Sequence, residues 1–319
     1  MTSTDIETAA AHYERLTGGH CRPQLAALTF DATHNAQALH HYFPITNALT
    51  ETERSQFDQR AHELTEHPNL DVRLFAERRA DLTAQLPAST PYLIAGHLIE
   101  IFFYRPDILE RFISAPRHFR LYTTPRAFQD DGGQAGGQYH AEREAVQLVW
   151  SRLFEGFNER TPGVAPFLHE FGHMLDFFNA GRGRMGESQG LLPGLSPTDS
   201  AVYTPRAREL FLRGKRLELE RYLARYDGAA HENAPLPIGH PYVFQNDMEF
   251  CAGYFEMVFR NPHYVAAQNP DLFAAYVELF GYDTRRAWEE DFPFYVNENR
   301  KFYLSGQQPW PPGISVPEA

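Results

Sequence analysis

The chain has 319 residues, 43% hydrophobic and 22% charged, a globular composition long enough to bury a core without disulfide or metal staples. Its net charge of −12 argues against a phosphate backbone as main partner and fits plain solubility. No run approaches the ~18 apolar residues of a membrane helix, and the polar, acid-bearing stretch from Met1 to His20 lacks the basic start and apolar run of a secretory signal.

Residues 1–40 read as a weakly structured lead-in with room for one short helix. Thr50-Glu51-Thr52-Glu53 is a capping box, and a polar helix with spaced apolar positions follows to about Leu64. A second helix is expected from Asp71 to Leu86. Pro87 and Pro91 break the chain, and a helical run follows from Tyr92 to Tyr104. His118–Thr123 and Ala145–Trp150 read as strands, separated by the Gly-rich Asp130–Gly137, a flexible loop or hairpin.

The second half reads as mostly helical. One helix carries Phe167 to Phe178, and a Gly-rich connection runs from Gly181 to Ser200. Thr204-Pro205 opens another helix, with Pro suited to its first turn. Asp247 is expected to cap a helix that stops at Asn261-Pro262. Asn269-Pro270 opens one more, ending at Gly281, and the Pro- and Gln-rich tail from Ser305 looks loose. Few strands and many helices predict an α+β fold, mostly helical with a small mixed sheet. Cys21 and Cys251 form neither a CxxC pair nor a disulfide framework, so a reducing, cytoplasmic setting is expected. Cys251, in an apolar stretch, reads as a small core residue.

His169-Glu170-Phe171-Gly172-His173 fits HExxH. On a helix, positions i and i+4 share a face, so two imidazoles there can bind one zinc, and the Glu between them can take a proton from water. Phe167, Leu168, Phe171, Met174, Leu175 and Phe178 surround the motif, which predicts a buried helix. Polar groups buried without partners cost about 1–3 kcal/mol each, and a metal removes that cost simply. A catalytic site needs a third protein ligand and an open position. Asn179 stands where a metzincin has His, which excludes that class. Asp176, on the same face, is either the third ligand, as in aspartate zincins, or a group that orients an imidazole. Downstream, Glu249 and Glu256 lie seven apart on one face of a helix that is apolar nearly all round. Either acid can answer the need for a buried partner, and spacing does not choose between them.

HEFGHMLD, followed by Tyr242-(six residues)-Glu249-Phe250-Cys251-Ala252-(three residues)-Glu256, resembles the Mlc titration factor A family of metallopeptidases. These are bacterial cytosolic gluzincins with a catalytic core similar to lethal-factor-type peptidases. Phe43–Thr50, Leu148–Ser151 and Asn269–Tyr282 extend the resemblance, which covers roughly residues 42–283. It implies a zincin-like metallopeptidase core, and the expected organisation is that core at 141–304, a helical part at 41–140 packed on it and a loose tail at 305–319. It implies Zn2+ held by His169, His173 and Glu249, with Glu170 as general base and Tyr242 as donor to the developing oxyanion. Glu256 becomes a supporting residue. Two departures bear on substrate choice: Gly181–Gly186 replaces the family's own run, and the stretch from His173 to Glu249 is long. Gly172 replaces the usual Ala and is expected to be harmless.

The expected function is zinc-dependent hydrolysis of a peptide or protein substrate, with no nucleic acid and no membrane as partner. Val146–Trp150 is expected to be the edge along which an extended substrate lies. An aminopeptidase would need an acid for the substrate amine, and Glu256, Glu187 and Asp247 are the candidates. The alternative, from the activity that gave the family its name, is a regulatory protein-binding module that sequesters a transcriptional repressor with little or no peptidase activity. A purely structural zinc site usually fills all four positions with Cys and His, and the sequence offers no fourth ligand.

Overall fold

The computed structural model describes residues 43, 45–86, 89–134, 136–155, 165–177, 204–228, 234–287, 289–291 and 293–316. The expectations for residues 1–40 and for the connection 181–200 lie outside them, as do Cys21, Phe178 and Glu187. The fold is α+β, mostly helical with one small mixed sheet. It divides into two compact units, Met1–Phe154 and Glu155–Ala319. The strand Ala145–Val149 pairs within the first unit.

The first unit opens with the short α1 (Ile45–Ala48) and α2 (Glu51–Thr65). The capping box at Thr50 forms as expected, with Thr50 accepting from the Glu53 N–H and Glu53 accepting from the Thr50 N–H. Replacing Thr50 by Ala is expected to cost about 0.5–2 kcal/mol in chemical denaturation. An unchanged midpoint would show that the box contributes nothing.

The helix expected over Asp71–Leu86 is not there. Leu70–Phe75 is strand β1, followed by 3-10 turns at Glu77–Arg79 and Thr83–Gln85. Residues 70–75 are held extended by parallel pairing of β1 with β2 (Arg117–Tyr122); residues 76–86 are rich in helix formers, but Arg78 and Arg79 take positive φ and the Leu82 N–H donates to the Leu74 carbonyl, so the chain turns back beside β1 instead of running on as a helix. Between β1 and β2 run α3 (Ser89–Phe102) and α4 (Pro106–Phe112). After β2 come α5 (Pro125–Asp130), β3 (Gly137–His140) and β4 (Ala145–Val149). The Gly-rich segment leads into β3, and the hairpin closes later, through Ala141–Arg143.

The sheet order is β1-β2-β4-β3. β4 is therefore interior: β2 pairs with it in parallel on one side and β3 antiparallel on the other. This corrects the expectation that Val146–Trp150 is a free edge. Its backbone groups are already spent on two neighbours. All five β4 residues are buried, as an interior strand requires.

The second unit is built from α6 (Pro166–Asp176), α7 (Pro205–Tyr226), α8 (Asp247–Arg260), α9 (Pro262–Gln268), α10 (Pro270–Phe280) and α11 (Pro293–Leu304). Thr204 and Asn269 cap α7 and α10 as their sequences predict. The cap of α8 is Asn246, whose side chain accepts from the Glu249 N–H at 2.9 Å. Asp247 instead takes the ammonium of the buried Lys215 at 2.8 Å. From Phe250 to Arg260 every residue of α8 is buried, and Cys251 is a core residue as expected. Phe255 sits among Phe171, Phe259, Tyr276 and Phe280.

The tail is not loose over its described part. The Tyr222 hydroxyl donates to the Trp310 carbonyl at 2.9 Å, and the Gly313 N–H donates to the Phe244 carbonyl at 2.9 Å. Ser315 donates its N–H and its hydroxyl to the Asp247 carboxylate at 2.8 and 2.9 Å. Pro and Gln signal the absence of a helix, not the absence of partners.

Candidate metal centre

The site is assembled from α6, α8 and the turn between α7 and α8. α6 opens with Pro166 at its first turn and is buried along nearly its whole length. It has no side-chain cap of its own. Instead, the Ala165 N–H donates to Glu256 Oε1 of α8 at 2.6 Å. A carboxylate at a helix N-terminus satisfies an orphan donor and suits the helix dipole.

His169 and His173 stand one turn apart, with ring centroids 5.0 Å apart and planes nearly perpendicular. His169 Nε2 lies 3.0 Å from Glu249 Oε2, and His173 Nε2 lies 3.6 Å from the same oxygen. One donor atom from each of the three residues falls within 4.8 Å of the others, close enough to share one ion. Among the described residues this is the one group of His, Cys, Asp and Glu so arranged. The three side chains are 15%, 11% and 17% exposed, so none is sealed in. On the far side of His169, Nδ1 lies 3.6 Å from Glu256 Oε2. Glu256 thus binds the start of α6 with one oxygen and faces the imidazole with the other. A carboxylate behind a ligating His fixes its tautomer and ring orientation.

The electrostatics favour a positive charge at this point. Burial works against a protonated His169, yet Glu249, Glu256 and the charge of Glu170 together hold it up at about 10. Burial raises Glu249, and the two imidazoles outweigh it, so its carboxyl sits well below the usual range. A metal ion would take the place of that proton. Two imidazole nitrogens and one carboxylate oxygen are a donor set that suits zinc and leaves a fourth position open.

Glu170 is buried beside the first His. Tyr242 lies on the short turn Pro241–Phe244, with its ring centroid 6.2 Å from that of His169. Loss of hydration, the charge and hydrogen bonding of Glu249, and the charge of Glu170 raise its phenol above the ordinary value. The raised phenol stays protonated at neutral pH, and the residue as a whole is 42% exposed. Three of the five expected residues, His169, His173 and Glu249, have donor atoms that converge; Tyr242 lies beside His169, and the charge of Glu170 acts on both His169 and Tyr242.

Asp176 is buried, and its charge reaches Cys251, but it is not among the converging donors. Asp247 is engaged by Lys215 and Ser315 and is not free for a substrate amine. A Cβ at Gly172 would meet Ala252 Cα at 3.0 Å, so glycine lets α6 and α8 approach closely where they carry the ligands. Sequence reasoning also missed that Glu256 holds the start of α6, since no local signal links Ala165 to a residue in a helix so far along the chain. Replacing Glu249 by Ala should lower zinc affinity far more than replacing Glu256 or Asp176, where outer partners cost about 10–100-fold. Competition with a chelator measures this, and a larger loss in Asp176→Ala would move the third ligand to Asp176.

No family model matches the chain, and no curated protein matches it significantly. No described helix is long and apolar enough to cross a membrane.

Proposed function

We propose that the chain is a zinc-dependent peptidase of the gluzincin type, with a zincin-like core like that of the Mlc titration factor A family it resembles. The observation that carries this reading is the convergence of His169, His173 and Glu249 on one point, with Glu170 and Tyr242 beside it. His169, His173 and Glu249 would hold the metal, and Glu256 would keep His169 in its ligating orientation. Zinc, when bound, lowers the pKa of water and polarises a carbonyl. Glu170 accepts the proton of the attacking water and returns it to the leaving amine. Tyr242 donates its hydroxyl to the oxygen that gains charge on the substrate carbonyl. The close approach of α6 and α8 at Gly172 holds the two imidazoles and the carboxylate in register. A protein that only sequesters a repressor needs neither Glu170 nor Tyr242.

The test is to load the protein with zinc, confirm about one ion per chain, and expose it to a broad peptide library. Cleavage that stops on chelation and returns with zinc supports the reading. A metal-loaded protein that cleaves no peptide sends the site to the repressor-binding alternative.

A further inference from the structure

The turn that carries Tyr242 is fixed just upstream by an unusual concentration of side-chain hydrogen bonds. The Ile238 N–H donates to Glu218 Oε2 of α7 at 2.7 Å. The Gly239 N–H donates to the Tyr254 hydroxyl of α8 at 3.1 Å. Both carbonyls are held from α11: Asn299 Nδ2 donates to the Ile238 carbonyl at 3.1 Å, and the Tyr303 hydroxyl to the Gly239 carbonyl at 2.8 Å. Two successive residues thus have every backbone donor and acceptor taken by side chains from three helices.

The network closes on itself. The Tyr254 hydroxyl donates to the same Glu218 oxygen that receives Ile238. Glu218 is fully buried, and its other oxygen accepts from Arg221 at 2.7 Å and from Asn269 at 3.4 Å. Burying a carboxylate is costly, and this one is covered on both oxygens. Gly239 fits tightly: a Cβ there would meet Val243 Cγ2 at 2.4 Å and the Tyr254 hydroxyl at 3.1 Å. Beyond the clamp, His240 Nδ1 accepts from the Tyr242 N–H at 3.2 Å, so little slack separates the clamped peptides from the phenol. One helix, α8, supplies both the ligand Glu249 and the clamp residue Tyr254.

We propose that Glu218, Tyr254, Asn299 and Tyr303 are positioning residues of the metal centre, which fix the peptides of Ile238 and Gly239 and so set where Tyr242 stands relative to His169 and Glu249. None of the four is among the converging ligands. They act through the backbone that delivers Tyr242. The catalytic consequence rests on Tyr242 being the oxyanion donor of the proposed peptidase. The placement of the phenol does not.

The test uses the zinc-loaded full chain labelled with 3-fluorotyrosine. The 19F resonance of Tyr242 is identified by its loss in Tyr242→Phe, and that of the core residue Tyr276 serves as control. Tyr254→Phe and Tyr303→Phe each remove one clamp hydroxyl and keep the ring. The expected result is a shifted or broadened Tyr242 resonance in both, with zinc content and the Tyr276 resonance unchanged. On a cleaved peptide, kcat falls with KM nearly constant, by less than the ~10²–10³-fold of losing an oxyanion donor outright. That fall disappears when the same change is made in Tyr242→Phe, because coupled residues are not additive. If Tyr254→Phe does not fold, Tyr303→Phe carries the test, since it leaves Glu218 with its partners. A Tyr242 resonance that stays in place in a folded variant overturns the proposal, and so do losses of kcat that simply add to that of Tyr242→Phe. A displaced resonance in a protein that cleaves nothing upholds the clamp and removes the peptidase reading instead.

Discussion

Replacing either His169 or His173 by Ala is expected to abolish the proposed zinc binding, and the two variants should differ in what else they lose. Each leaves two donors where three converge within 4.8 Å. The affinity loss should exceed the ~10–100-fold typical of an outer partner. His169 also stands between two carboxylates, 3.0 Å from Glu249 and 3.6 Å from Glu256. Its removal leaves those acids facing each other without the imidazole that separates them. His173 is approached by Glu249 at 3.6 Å, and its loss leaves His169 in place. His169→Ala should therefore lose more thermal stability than His173→Ala when both are metal-free. The measurements are zinc per chain after dialysis and melting temperature after chelation. Zinc content equal to the parent in both variants would remove the metal centre altogether, and the reverse order of stability would remove the role given to Glu256.

Glu170→Gln separates chemistry from metal binding. Gln has the size of Glu and hydrogen-bonds in a similar shape, but it cannot accept a proton from water. Glu170 is not one of the three converging donors, so zinc should stay. Loss of a general base typically costs ~10²–10⁴-fold in rate. At about 1.4 kcal/mol for each tenfold, that is about 3–6 kcal/mol of transition-state stabilisation. The protein should fold, carry its zinc and cleave at a rate near background. Cleavage at the parent's rate would show that another group takes the proton. Loss of zinc would show that Glu170 contributes to the metal site.

The parts of this protein that are legible in its sequence are those with local signals. The capping box at Thr50, the Thr-Pro and Asn-Pro openings of α7 and α10, and the close of α10 at Gly281 each depend on a few neighbouring residues. HExxH is equally local, since a helix alone brings His169 and His173 together. Glu249 is different. Spacing leaves it level with Glu256, and only the resemblance separates them. The structure gives the reason for the tie: both acids face His169, one at each ring nitrogen. The stretch 71–86 reads as one helix in sequence because residues 76–86 favour one; in the fold residues 70–75 pair with β2, and the turn at Arg78 and Arg79 ends any helix after them. The tail reads as loose because its partners, Tyr222, Phe244 and Asp247, lie far back in the chain. The clamp has no sequence signal at all. A Glu, two Tyr and an Asn on three helices acquire a common purpose only when the helices are packed.

The clamp and the tail contacts also impose an order in time. Translation runs at about 5–20 residues per second, so Asn299, Tyr303 and Ser315 emerge seconds after His169, His173 and Glu249. A nascent chain therefore has its three candidate metal ligands before it has α11 to hold the Ile238 and Gly239 carbonyls, or Ser315 to hold Asp247 at the start of α8. On the proposed reading, ion capture and a correctly aimed Tyr242 would be separate events during synthesis. A growing chain would take up its ion early and still be inert, and would gain a competent centre only when α11 and the segment through Ser315 have docked.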